Sequence, residues 1–77
     1  MEFNIGDYVL CSRSKYKLKW IYLIIDIDKR RTYPYLGKII YSSNIYFNKD
    51  ETLWFNNLNH NVHKEKITKD KVLKSVI

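Results

Sequence analysis

At 77 residues the chain has room for one domain and one core, spanning residues 1–77, and none for a second lobe or a deep cleft. Its single cysteine, Cys11, excludes an intramolecular disulfide and fits a reducing compartment. A net charge of +6 and a pI near 9.5 suit a polyanionic partner, because lysines that displace phosphate counterions gain affinity without reading sequence.

Residues 1–8 carry no basic segment followed by an apolar one, so no signal peptide is expected. The longest apolar run, residues 20–25, is far short of the roughly 20 residues needed to span a bilayer. The expected setting is therefore the cytoplasm, or the host cytoplasm if the protein is viral, with no membrane partner. The chain has no Ala and no Gln, both good helix formers, while Ile, Tyr, Val, Trp and Phe are plentiful. That bias favours strands, although an AT-rich genome, which favours Lys, Asn, Ile and Tyr, is a competing source of it.

In chain order, Asn4, Gly6 and Asp7 mark a turn, since Gly6 tolerates positive φ and Asp7 can bond the local backbone. A strand over 8–12 follows, with Val9 and Cys11 as its inner pair. Residues 12–19 are polar and basic. Residues 20–28 give the clearest strand pattern, with Ile21, Leu23, Ile25 and Ile27 expected to face the core and Trp20, Tyr22, Ile24, Asp26 and Asp28 outward. After a polar connection, Pro34 precedes a strand over 35–42, with Tyr35, Gly37, Ile39 and Tyr41 on one face. Gly37 there marks a close approach or bend. Short strands are expected over 45–47 and 52–55, and an Asn-rich loop over 56–61. Thr68 is a candidate cap for a helical turn, and 72–76 reads as a closing strand or the end of a short helix. Five short strands of this kind predict an all-β small barrel with a short helical turn near the C-terminus, since closure removes exposed edges.

The segment Phe3-Asn4-Ile5-Gly6-Asp7-Tyr8-Val9 resembles the opening strand of Src-homology-3-like (SH3-like) small barrels, including the KOW and Tudor groups. Ile25-Asp26-Ile27-Asp28 with Tyr33-Pro34-Tyr35-Leu36 resembles a segment of short barrel proteins encoded by bacteriophages, and Leu53-Trp54-Phe55 fits their later aromatic strand. Residues 67–73 fit the one-turn helix that precedes the last strand in such proteins. The resemblance implies a five-stranded SH3-like barrel and a phage-type accessory role. It carries over no functional residue, because such barrels bind RNA, DNA, peptides or methylated side chains. The chain departs from the KOW pattern in having no glycine between Gly6 and Gly37.

Arg13, Lys15, Lys17 and Lys19 stand at i, i+2 spacing, which in an extended segment forms a basic comb backed by Tyr16, Leu18 and Trp20. Lys29, Arg30 and Arg31 are expected at a hairpin tip. If the tip lies near the comb, the two make a groove for a phosphate backbone with Tyr16 or Tyr22 stacking on bases. The competing reading is an edge strand kept from pairing by its lysines. Lys64, Lys66, Lys69, Lys71 and Lys74, mixed with Glu65 and Asp70, read as a solvated face, with Glu65 and Lys69 as an i, i+4 pair if the segment is helical. Twelve aromatics are too many for a small core to hide, so Tyr8, Tyr16, Tyr22, Tyr33 and Tyr46 are candidates for exposure. Tyr22, Tyr33, Tyr46 and Trp54 are accordingly the candidate anchors of an alternative, protein-binding surface, which serves a host protein or a homodimer.

His60 and His63 stand at i, i+3, but a structural zinc site wants four ligands, and no metal or cofactor is expected. No activated nucleophile motif or phosphate-cradling glycine loop occurs, so no enzymatic activity is expected. The expectation is a non-catalytic binding module that meets nucleic acid through Arg13, Lys15, Lys17, Lys19, Lys29, Arg30 and Arg31 with Tyr16.

Overall fold

The computed structural model describes residues 2–43, 48–57 and 61–76. The expected strand at 45–47, and with it Tyr46, lies outside them, as does His60. Among the described residues five strands form one antiparallel sheet: β1 (Tyr8–Arg13), β2 (Leu18–Ile27), β3 (Tyr35–Ser42), β4 (Thr52–Phe55) and β5 (His63–Ile67), followed by a helix, α1 (Lys69–Val76). The order across the sheet is β4-β3-β2-β1-β5, so the first four strands are a meander and β5 pairs back onto β1. This is the all-β class expected. Among the described residues, no pairing joins the two edge strands, β4 and β5.

The C-terminal region follows one of the two expected alternatives, with 72–76 within the helix α1, but the last strand precedes that helix rather than following it. Only Ile67 of β5 is buried, so this strand has almost no apolar alternation to reveal it, and its lysines are those of a protected edge. Glu65 therefore pairs not with Lys69 but with Lys71, whose ammonium donates at 2.8 Å across the strand-to-helix junction. Thr68 caps α1 as expected, its hydroxyl oxygen accepting the Lys71 N–H at 3.3 Å, an interaction worth about 1 kcal/mol.

Both faces of the sheet are partly covered. On one face lies the main core of Phe3, Val9, Cys11, Trp20, Tyr22, Ile24, Tyr35, Ile39 and Phe55. On the other, Ile21, Ile67 and Val72 of α1 form a smaller cluster against Tyr8, Leu10, Ile40 and Tyr41. Val9 and Cys11 are inner residues, as their alternation indicates, but the parity expected for β2 is reversed. Trp20, Tyr22 and Ile24 fill the main core, and Ile21 is buried beneath the helix side instead.

Two register irregularities complete the correction. Opposite β3, Ile24 pairs with Gly37 and Asp26 with Leu36, so Ile25 is an extra residue that bulges out, 39% exposed. Beyond the bulge the alternation restarts, and Ile27 packs on the main core beside Ile24 rather than across from it. The second irregularity falls at Ile40, between the pairs Ile21–Tyr41 and Tyr22–Ile39, and moves Tyr41 to the helix side. A period-2 reading is right only between bulges.

The N-terminal turn is stitched to β2. Asn4 N–H donates to the Asp7 carboxylate at 2.7 Å, and Gly6, with φ of 93°, donates its N–H to the Ile24 carbonyl at 2.8 Å. This places Phe3 over the main core, edge-on to Tyr35 with ring centroids 5.2 Å apart. No described helix is long and apolar enough to cross a membrane.

Candidate nucleic-acid interface

The basic comb does not form. Residues 14–16 make a 3-10 turn, and Lys17 is left-handed with φ of 55°, so the chain reverses where an extended run was expected. Arg13 then pairs with Leu18 and Ser12 with Lys19. Directly paired residues share a face, so Arg13 lies on the face of Cys11 and Trp20, whereas Lys19 lies on the face of Ile21. Lys15, Tyr16 and Lys17 are exposed at the turn, where Arg13 and Lys15 flank the Tyr16 ring at 5.0 and 5.6 Å. The four basic residues serve two faces and a turn, not one row.

The second basic group does sit at a hairpin tip, between β2 and β3. Asp28 N–H donates to the Pro34 carbonyl at 2.8 Å, and the Asp28 carboxylate accepts from Arg30 through both backbone and guanidinium. Those bonds hold the Asp28 carboxyl below its usual range and leave Arg30 partly neutralised. Lys29 stays exposed. Arg31 turns the other way, with its guanidinium 4.0 Å from the centre of the Trp54 ring.

Trp54 lines a groove of about 500 Å³ together with the main-core residues Cys11, Trp20, Tyr22 and Phe55. Although β4 and β5 are opposite edges, Trp54 and Phe55 of one and Lys64 of the other line the same space, so the sheet curls around it. Tyr22 and Phe55, stacked at 4.3 Å with 11° between their planes, form the floor, with Trp20 beside them. They close over Gly37, which leaves the space their rings fill. Tyr33, 54% exposed, and Arg13 lie at the rim. Lys64 pairs with Cys11 across the β1–β5 ladder and shares its face, and the partial burial of its ammonium lowers its pKa, with the Cys11 charge acting the other way. Among the described residues lining this space none is acidic. The chain matches no family model, no curated protein and no solved structure.

Of the residues singled out from sequence, the groove gathers Arg13, Tyr22, Tyr33 and Trp54, with Arg31 stacked beside it. It does not gather Lys15, Lys17, Lys19, Lys29, Arg30 or Tyr16. Tyr22 was expected to be exposed but is buried, so it is a floor and not an outward anchor. Lys64 was missed because its segment read as solvated. Only the β1–β5 register places it, turning Lys64 toward Cys11 while Glu65 turns toward α1. His63, exposed, lies 3.5 Å from Glu65, and no metal-ligand cluster occurs among the described residues.

Proposed function

We propose that the protein is a non-catalytic binding module that holds nucleic acid in the aromatic groove of an SH3-like sheet. The observation that carries this reading is the coincidence of Arg13, Lys64 and the Arg31–Trp54 stack around an aromatic space with no described acidic residue. Cations there neutralise phosphates, and ring faces take bases. Lys15, Lys17, Lys19, Lys29 and Arg30 add to the attracting field at longer range. The strand order and the Gly6-Asp7 turn leading into β1 support the SH3-like comparison. The Tyr33-Pro34-Tyr35-Leu36 segment supports an accessory role of the phage type, acting in the host cytoplasm.

Fluorescence anisotropy with a labelled oligonucleotide tests the reading. With about three phosphate contacts on a single strand, affinity is expected to fall about twentyfold between 50 and 200 mM salt. Lys64→Glu is expected to weaken binding at least tenfold, and more than Lys17→Glu does. No binding at 50 mM salt, or Lys64→Glu binding as wild type, contradicts the reading.

A second reading has a specific observation in its favour: Tyr33 and Trp54 sit at the mouth of one groove and are suited to anchor a host protein. An aromatic-centred protein interface responds far less to salt, so the same titration performed with a captured partner separates the two.

A further inference from the structure

The groove combines planar aromatic walls with cations at its rim, and each class of occupant satisfies a different part of it. An isolated phosphate meets the cations and leaves the ring faces without a partner. A duplex presents phosphates on its outside and keeps its base faces stacked within, so it reaches the rim but not the floor. A cationic side chain suits aromatic faces, but here it faces Arg13, Arg31 and Lys64 with no described acidic residue to offset them. A planar, uncharged ring attached to a phosphate satisfies both parts.

Geometry limits the occupant further. A volume of about 500 Å³ is toward the small end of ligand sites, which run roughly 300–1,000 Å³, and suits one base with its sugar rather than a run of bases. The Arg31 guanidinium carbon stands 4.0 Å from the centre of the Trp54 ring and covers one of its faces, so a base takes the other. Arg13 and Lys64 share a face on neighbouring strands, and Lys64 stands opposite Cys11, two residues before Arg13. As diagonal neighbours they are roughly 7–8 Å apart at the backbone, a gap that two long side chains close around one phosphate.

We infer that the groove takes one unpaired nucleobase stacked on Trp54, with the adjoining phosphate between Arg13 and Lys64, so that the ligand is single-stranded. This rests on the nucleic-acid reading above and narrows it to strands whose bases are free. Arg31 holds the indole in place and adds charge beside the entry. The exposed Tyr16 lies beside the Arg13 end of the groove, its ring centre 5.0 Å from the Arg13 guanidinium.

The test compares three unlabelled ligands of equal length at 50 mM salt: single-stranded oligothymidylate, a duplex, and an abasic strand with the same phosphates. Binding is followed through tryptophan fluorescence and by calorimetry. The single strand is expected to bind at least tenfold more tightly than either of the others and to quench the tryptophan emission, while the abasic strand leaves the emission unchanged. Trp54→Ala, checked for folding by circular dichroism, is expected to lose that advantage and to bind single and abasic strands alike. If wild type binds all three equally, nucleic-acid binding stands and base insertion is overturned. If none binds, both readings fall. The wild-type comparison decides the matter even if the Trp54 variant does not fold.

Discussion

In urea, Gly37→Ala is expected to lower the unfolding free energy by about 3 kcal/mol, the upper end of the overpacking range. A methyl group on residue 37 meets Tyr22 Cδ1 at 2.6 Å, Tyr22 Cγ at 2.7 Å and Phe55 Cε1 at 2.9 Å. These are ring atoms of two buried aromatics stacked on each other, one from each strand flanking β3, so neither swings aside as a flexible chain end does. Phe55 is also held by Phe3 at 6.3 Å and Tyr35 at 5.7 Å, and the displacement spreads into the core. In a small domain with a stability of roughly 5–15 kcal/mol, such a loss is a large share. The midpoint should fall with the denaturant slope unchanged. A variant within about 0.5 kcal/mol of wild type contradicts the stacked floor. The same substitution disturbs the surface beneath the proposed base site, so residual folded protein is expected to bind more weakly as well.

Alkaline pH is the second large effect. Burial pushes the Cys11 thiol from its ordinary 9.0 up to about 12, with Lys64 pulling modestly the other way. Burial also raises the Tyr22 phenol from 10.0 to about 12, with the Cys11 charge adding to the rise and a hydrogen bond with Trp20 opposing it. Both groups are acids whose folded pKa lies above the unfolded one. Above pH 9 the unfolded chain releases the Cys11 proton while the folded chain keeps it, so stability is whole below 9 and declines as pH rises toward 12. For Cys11 alone the loss is about 1.4 kcal/mol per pH unit in that window, and Tyr22 joins it above 10. Lys64 has the opposite sign, since its lowered pKa lets the unfolded chain hold the extra proton, but that contribution ends at 10.5. Thermal melts from pH 8 to 11 should therefore show a falling midpoint, shallower in Cys11→Ala once its own lower baseline is subtracted. A flat midpoint across that range contradicts a buried, inert thiol.

Much of the sheet is readable from local pattern. Val9 and Cys11 alternate cleanly, the polar stretch before Pro34 is a hairpin tip, and Gly37 announces the close approach that Tyr22 and Phe55 make over it. The failures have identifiable physical causes. Both faces of β2 carry apolar residues because α1 covers one and the main core the other, so hydrophobicity alone does not say which parity faces which. The bulge at Ile25 then exchanges the faces partway along the strand. The basic comb failed because i, i+2 spacing implies a common side only in extended backbone, and a 3-10 turn ending in left-handed Lys17 interrupts it. Lys64 escaped notice because its contribution depends on a pairing between residues far apart in sequence, which nothing local encodes. The aromatic half of the groove was legible as composition, through Tyr33 and Trp54, but its cationic half was assigned mainly to the wrong lysines.

Where a ligand sits is best measured by NMR titration of ¹⁵N-labelled protein with a single-stranded oligonucleotide. A strand held in the groove shifts the Trp54 indole N–H together with the amides of Arg13, Tyr33, Phe55 and Lys64, and leaves Lys17 and Lys19 nearly unmoved. Shifts confined to the 14–19 turn or to α1, with the groove residues unchanged, contradict the proposed site.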